Sequence, residues 1–144
     1  MRINALILFL FISSCTYGQG FELILDHVAL EVHNLEESSK FYNEVLKLKE
    51  LPTPNNNPKL RWFDLGNKRQ LHLILAEEPY ELPSKSVHFS LACSDLPSFI
   101  KELEVPYESW LGENSKISDR PDGIQQIYIR DNSGYWIEIN NVKY

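Results

Sequence analysis

The same short pattern occurs twice in this chain: an alternating strand, a polar capping residue and then an amphipathic helix. The first strand is predicted over residues 26–32 with its helix after Asn34, and the second over residues 87–92 with its helix after Asp95. Each cap can accept hydrogen bonds from the exposed amides of the first helical turn, and apolar residues then recur at helical spacing. Three further strand candidates follow each helix. An internal duplication explains this order economically, so the sequence predicts two βαβββ modules.

The predicted modules cover residues from about 24 to 78 and from about 85 to 142. The segment between them, Glu77 to Lys85, contains two prolines and is predicted to be a linker. A Pro-rich and Asn-rich stretch over 52–58 and a second stretch over 113–123 are predicted to be long loops. Loops of that length in a compact domain are often functional.

Strand alternation places three of the four histidines and one glutamate on the less apolar face of a strand. Under the duplication His27 corresponds to His88, and His72 corresponds to Glu138. The four residues therefore form two symmetry-related pairs, which favours a shared role as metal ligands over four separate structural roles. The fourth histidine, His33, lies at the start of a helix and needs no special role.

Three imidazoles and one carboxylate suit one divalent metal ion, which could be Zn²⁺, Ni²⁺, Co²⁺, Mn²⁺ or Fe²⁺. Such ligands on rigid strands leave coordination positions for the oxygens of a substrate. The metal would act as a Lewis acid, and Glu138 could move a proton as the catalytic residue.

Residues 26–46 resemble the opening of the vicinal-oxygen-chelate superfamily, and residues 123–139 resemble its closing strands. The superfamily includes glyoxalase I, extradiol dioxygenases and bleomycin-resistance proteins. The resemblance implies an α+β fold in which two βαβββ modules form a curved, half-open mixed sheet cup. It also implies a homodimer, with metal sites formed either within one chain or across two.

In the glyoxalase I branch, a first-strand His or Gln, a fourth-strand Glu, a fifth-strand His and an eighth-strand Glu bind the metal. Carried over one by one, these positions fall on His27, His72, His88 and Glu138. This chain has an imidazole where the branch has its fourth-strand carboxylate, so Glu138 alone is left as the base. The resemblance implies a metal-dependent lyase or isomerase of the lactoylglutathione lyase type, acting on a small substrate chelated through vicinal oxygens.

Two other functions fit the same scaffold. An extradiol-type dioxygenase would use His27, His88 and Glu138 to hold Fe²⁺. A non-catalytic binding protein, like the bleomycin-resistance relatives, would sequester a small molecule such as an antibiotic in the cup without metal.

Four further side chains are candidates for binding the substrate. Gln126 and Tyr128 share one face of the seventh predicted strand, and Arg61 lies on one face of the third. Whichever face looks into the cup would contact the ligand. Arg120, in a predicted loop, could reach over the site to bind a carboxylate or pair with a neighbouring aspartate.

The N-terminus has the order of a signal peptide, with a basic residue, an apolar run over 5–12 and then small and polar residues. It predicts a signal peptide over residues 1–18 and an exported protein, periplasmic or secreted. The residues before Cys15 also resemble a bacterial lipoprotein box, which would place a lipid anchor on that cysteine. If Cys15 leaves with the signal, Cys93 is the one cysteine remaining and no internal disulfide can form.

Composition fits one globular domain over residues 22–144 and argues against nucleic acid as a partner. The chain has 144 residues, with 14 basic and 20 acidic side chains, and the basic residues form no run. The electrostatic footprint of a nucleic-acid binder is therefore missing.

Overall fold

The duplicated order predicted from the sequence is present in the structure, a computed structural model that describes residues 21–144. The first sheet has the strand order β1-β4-β3-β2 and the second has the order β5-β9-β8-β6, with β7 paired to β8. The strands are β1 (His27–Val32), β2 (Glu50–Leu51), β3 (Leu60–Gly66), β4 (Arg69–Leu75), β5 (Phe89–Ala92), β6 (Tyr107–Glu108), β7 (Ser118–Asp119), β8 (Gln125–Arg130) and β9 (Trp136–Asn140). The α+β prediction with two mixed sheets is confirmed.

The two sheets repeat the same pairing. In each, the first strand of the module lies parallel to the last, and the remaining neighbours are antiparallel. The register repeats as well, since Ala29 lies opposite His72 and Ser90 lies opposite Glu138. The duplication thus extends from the order of elements to the strand partners of His72 and Glu138.

Both helices begin at the predicted caps. In α1 (Leu35–Lys40) the Asn34 side chain accepts from the amide of Glu37 at 3.1 Å, and in α2 (Leu96–Glu102) the Asp95 side chain accepts from the amide of Ser98 at 3.0 Å. Helix α1 runs directly into a π-helical turn over Phe41–Val45. That wider turn was not predicted, because its apolar spacing differs little from that of an α-helix.

The predicted long loops contain short elements. Residues 52–58 hold one 3₁₀ turn over Pro54–Asn56, and residues 113–123 hold the two-residue strand β7. The second module therefore has one strand more than the predicted βαβββ order. These elements escaped prediction because two or three residues carry too little periodicity to mark a strand or a turn.

The fifth strand begins two residues later than predicted. A turn closed by the Val87 amide on the Ser84 carbonyl, at 2.9 Å, holds the chain out of the sheet until Phe89. His88 consequently lies at the end of a turn rather than within the strand, and its ring accordingly reaches back to the backbone of Lys85.

Alternation gives both sheets one apolar row that faces a shared core. Helix α1 covers the first sheet on this side and contacts β3 and β4. Burying each of the large apolar side chains contributes about 1.5–3 kcal/mol. The fully buried members are Val32, Phe63, Leu71, Leu73, Ile127, Ile129 and Ile137. The opposite face of each sheet, which we call its site face, carries His72 in the first sheet and Glu138 in the second.

A buried polar contact joins the two modules. The Tyr42 hydroxyl, at the start of the π-helical turn, donates to Asp131 Oδ2 at 2.7 Å in the turn before β9. Burial raises the pKa of Asp131 although hydrogen bonds from Tyr42 and from backbone amides oppose the shift. The pKa of Tyr42 is also raised well above its ordinary value, by burial and then by Asp131, so its hydroxyl remains a donor.

Within residues 21–144, no helix is long and apolar enough to cross a membrane. The predicted signal peptide and the lipoprotein box at Cys15 lie outside the described residues.

We expect Tyr42→Phe to lower the free energy of unfolding by about 2 kcal/mol at pH 7, because an ionised, buried Asp131 loses a donor. The loss of that hydrogen bond raises the pKa of Asp131 further in the folded variant. A raised pKa in the folded state means that the folded variant binds a proton more readily than wild type does. The difference in the free energy of unfolding between variant and wild type therefore narrows as the pH falls toward about 3.9, the pKa of an aspartate in the unfolded chain. Urea unfolding at pH 7 and pH 4 measures this.

Tyr107→Phe is the matched control, because the Tyr107 hydroxyl donates to the Ser115 carbonyl, which does not ionise. Its effect should be smaller and equal at the two pH values. A Tyr42→Phe effect that is independent of pH would show that the contact does not depend on the Asp131 charge.

Candidate functional site

The four predicted ligands form two separate pairs on the site faces of the two sheets. His27 contacts His72 on the first sheet, and His88 contacts Glu138 beside the second. Within the described part of the chain, no group of three or more His, Cys, Asp or Glu side chains lies close enough to hold a metal ion. The structure thus brings the two predicted ligands of each module together without uniting the two modules' ligands, and the four-residue metal site stays a prediction.

The orientation of the His88 ring is fixed by the backbone. Its Nδ1 lies 2.7 Å from the carbonyl oxygen of Lys85, and a carbonyl can only accept. The proton must therefore reside on Nδ1, and Nε2 faces Glu138 Oε2 at 3.3 Å. A neutral imidazole would then direct a lone pair at a carboxylate oxygen. Such an arrangement is stable only with a proton or another cation between the two atoms.

Glu138 is 5% exposed and is surrounded by donors. Oε1 accepts from Asn140 at 2.7 Å and from Ser90 at 3.0 Å, while Oε2 accepts from the Tyr128 hydroxyl at 2.7 Å. Burial opposes ionisation, but the hydrogen bonds from Asn140, Tyr128 and Ser90 outweigh it and hold the pKa of Glu138 below its ordinary value. Burial and the bond to Glu138 raise the pKa of Tyr128, so its hydroxyl stays protonated. The carboxylate is therefore ionised and held in place.

The pair on the first sheet is a stack of rings. His72 lies between His27 and Trp62, with ring centroids 4.3 Å and 4.1 Å apart and the planes nearly parallel. His27 Nδ1 lies 2.7 Å from Asp26 Oδ2, and His72 Nε2 lies 2.8 Å from Gln70 Oε1. Burial and then the neighbouring His27 lower the pKa of His72. His72 is therefore neutral near pH 7, as a metal ligand must be.

The chemistry of the two pairs fits a divalent metal ion. The Glu138 carboxylate supplies negative charge, and the carbonyl and carboxylate partners of His88 and His27 fix the ring positions in the way that the second shell of a metal site does. Each pair offers two donor groups, whereas a metal centre needs three or more protein ligands. A complete centre would need both pairs.

Arg120 makes the predicted ion pair with a neighbouring aspartate and also approaches Glu138, while its contact with a substrate carboxylate stays a prediction. Its Nη2 donates to Asp122 at 2.6 Å, and its Nη1 lies 3.5 Å from Glu138 Oε1. Gln126, on the site face of β8, is almost fully buried, and its Oε1 has no hydrogen-bond partner. Together with Tyr128, three of the four predicted substrate-binding residues thus lie on or beside the site face of the second sheet.

Arg61 lies elsewhere. It shares its face of β3 with Phe63, which is buried against Tyr42 in the core, so its side chain leaves the sheet on the side of α1. There its Nε lies 3.4 Å from Glu50 Oε1. The structure does not bring Arg61 to either pair.

Several residues at the pairs were not predicted to serve a site. Ser90 and Asn140 bond Glu138, and the alternation of β5 and β9, which places them on its face, was the signal that could have identified them. Trp62 stacks on His72, and Trp110 packs near His88 and Tyr128. Trp110 lies in a loop, where no periodicity marks its direction.

Comparisons with known proteins agree with this fold. The family model of the Glyoxalase/Bleomycin resistance protein/Dioxygenase superfamily matches residues 24–139. An Arabidopsis thaliana protein named Glyoxylase I 4 is 30% identical over 127 residues, which cover 81% of this chain and 70% of that protein. The solved structure of a glyoxalase family protein from Bacillus anthracis has a TM-score of 0.67 at 24% identity and covers 87% of this chain and 99% of its own.

Lactoylglutathione lyase from Agrobacterium tumefaciens has a TM-score of 0.59 at 20% identity, and the match covers 83% of this chain and 92% of that one. Since the family model extends from β1 to β9, this chain belongs to the Glyoxalase/Bleomycin resistance protein/Dioxygenase superfamily.

Proposed function

We propose that this protein is a divalent-metal-dependent lyase or isomerase of the glyoxalase type. Its substrate is a small molecule that binds the metal through two adjacent oxygens. The observation that carries the proposal is the geometry of His88 and Glu138, whose Nε2 and Oε2 atoms face each other at 3.3 Å while the Nδ1 proton of His88 is bound by a backbone carbonyl.

A cation between these two atoms resolves their repulsion. A proton would make the pair an ordinary ion pair, whereas a divalent ion would use both atoms as ligands. The second arrangement is supported by the duplicated partner pair, in which His72 is neutral and stacked on His27. An ion pair between His88 and Glu138 alone would not explain why the first module has histidines, His27 and His72, at the two equivalent positions.

His27, His72, His88 and Glu138 would hold the metal. The bound ion would supply Lewis acidity, lowering the energy of an enediolate or similar anion on the substrate. Glu138 is the one carboxylate of the set and the residue placed to carry a proton. The Tyr128 hydroxyl and the Asn140 amide orient its two oxygens. An imidazole at His72 leaves the site more positive than a carboxylate would, which favours an anionic substrate oxygen.

We place the complete site between two copies of the chain. One described chain brings its four ligands together as two separate pairs, and the His27 side chain remains 44% exposed. A homodimer could oppose the first-sheet pair of one copy to the second-sheet pair of its partner. This arrangement across two chains would explain why each module carries two of the four ligands.

The position of His72 favours this function over a dioxygenase. A two-histidine, one-carboxylate iron site needs open positions for both oxygen and substrate. His72 is stacked against His27, so a metal held by His27 has this third imidazole beside it. With four protein ligands, fewer positions remain open.

We expect the purified protein to bind about one divalent metal ion per chain, and His72→Ala and His88→Ala each to lose most of it. Elemental analysis after dialysis against zinc, with thermal unfolding with and without zinc, measures this. His33→Ala is the matched control, because His33 stacks on Tyr80 away from both pairs and should leave metal content unchanged. Wild-type protein without stoichiometric metal under these conditions would end the proposal.

Co-expression of His72→Ala and His88→Ala chains tests the arrangement across two copies. A mixed dimer would have one site with both defects and one intact site, so its metal content should return to about half of the wild-type value. If each site lies within one chain, every site is defective and no metal returns. Differently tagged chains allow the mixed dimer to be purified from the homodimers.

We further propose that the protein is exported, because a basic residue and the apolar run over 5–12 precede the family domain. Expression with the native leader in a bacterial host should yield periplasmic protein that starts at Gln19, as measured by intact mass. A lipid-modified chain starting at Cys15 would support the lipoprotein alternative. Full-length protein in the cytoplasm would contradict export.

A further inference from the structure

We infer that Arg120 and Trp110 set the substrate class, and that the site takes a small 2-hydroxy or 2-oxo carboxylate that carries an apolar substituent. This inference rests on the proposed function and deepens it. Its basis is the arrangement of charged and apolar side chains around Glu138, which differs on the two sides of the carboxylate.

The turn between β7 and β8 holds Arg120 in place. The Arg120 amide donates to the Ile124 carbonyl at 2.8 Å, and the Gly123 amide donates back to the Arg120 carbonyl at 2.9 Å. Gly123 has φ +83, a conformation that other residues adopt only with strain. Asp122 accepts from Nη2 and orients the guanidinium. The arginine is therefore aimed at the site by a rigid turn.

The contact between Arg120 and Glu138 leaves the arginine available to a ligand. At 3.5 Å it is the longest of the polar contacts of Glu138, whose two oxygens already accept three shorter hydrogen bonds. The Arg120 side chain is 36% exposed, and a guanidinium carries five N–H donors, so donors remain free. A metal ion would offset the charge of Glu138, and the arginine would then be free to bind an anionic group.

An indole lies on the other side of the pair. The Trp110 ring centroid is 5.5 Å from that of Tyr128 and 6.2 Å from that of His88, yet the residue is 42% exposed. Its backbone is fixed, since the amide donates to Ser118 Oγ and the carbonyl accepts from Lys85 Nζ. An exposed, positioned aromatic ring beside polar ligands is suited to the apolar part of a substrate.

The two oxygens of the Glu138 carboxylate face different neighbours. Oε1 faces Arg120, whereas Oε2 faces Tyr128 and His88, the residues on which Trp110 packs. A ligand that spans the pair thus meets free guanidinium donors at one end and the exposed Trp110 ring at the other, where the Lys85 ammonium is already paired with Glu108. A 2-hydroxy carboxylate has two adjacent oxygens for the metal, and its remaining carboxylate oxygen can accept from Arg120.

The test compares mandelate with two matched probes, mandelamide, which lacks the negative charge, and glycolate, which lacks the ring. Dissociation constants are measured by calorimetry for wild type, Arg120→Gln and Trp110→Ala, both with added zinc and with a chelator. We expect Arg120→Gln to weaken mandelate binding about tenfold and mandelamide binding less than twofold, because only the first probe loses a charge-assisted hydrogen bond. Trp110→Ala should weaken mandelate about tenfold and glycolate little.

Arg69→Gln is the control, because Arg69 is exposed at the start of β4 and should change none of the constants. Equal losses for mandelate and mandelamide in Arg120→Gln, or no binding of mandelate in either condition, would overturn the inference. Metal content is measured on the same samples. Wild-type protein that holds no zinc overturns the proposed function. In protein that holds zinc, equal losses of the two probes in Arg120→Gln overturn the inference alone.

Discussion

Strand alternation is the constraint on which the rest of this structure depends. In both sheets it sends one row of Leu, Ile and Phe side chains into a shared core and leaves the opposite face for polar residues. Because the register of the first and last strands repeats, Ala29 opposite His72 and Ser90 opposite Glu138, each site face presents its polar residues at equivalent points. A slip of one residue in either sheet would bury a ligand in the core and expose an apolar row. The energy that stabilises the core therefore also fixes the site.

Much of this could be predicted from local chemistry. The caps at Asn34 and Asp95 and the strands that carry His27, His72 and Glu138 follow from hydrogen bonding and alternation within a few residues, and each is present. Predictions of this kind need only short-range information. The duplication matched His27 with His88 and His72 with Glu138, whereas the contacts in space join His27 to His72 and His88 to Glu138.

What could not be predicted depends on long-range packing or on loops. Alternation showed that Arg61 shares a face with Phe63, but only the packing of Phe63 on Tyr42 shows that this face is the core side. His88 falls outside its strand because a turn at Ser84 precedes it. The separation of the four ligands into two pairs depends on how the sheets meet. The loop residues Arg120 and Trp110 follow no periodicity, so their directions come from the turns that hold them.

The two pairs have equivalent positions but different electrostatics, and this difference bears on how the duplication serves one site. The first-sheet pair is a stack of two imidazole rings, in which burial and then His27 lower the pKa of His72, and His27 is open to solvent. The second-sheet pair is built around a buried carboxylate whose pKa is lowered by hydrogen bonds from Asn140, Tyr128 and Ser90. A dication would gain a carboxylate ligand at the second pair, while the first offers two imidazoles. The second module alone would provide the Glu138 carboxylate but only two ligands. The first module alone would provide two imidazoles and no carboxylate ligand. The two modules can therefore serve one site because their ligands have diverged. A centre that combines them has a carboxylate ligand and enough ligands in total.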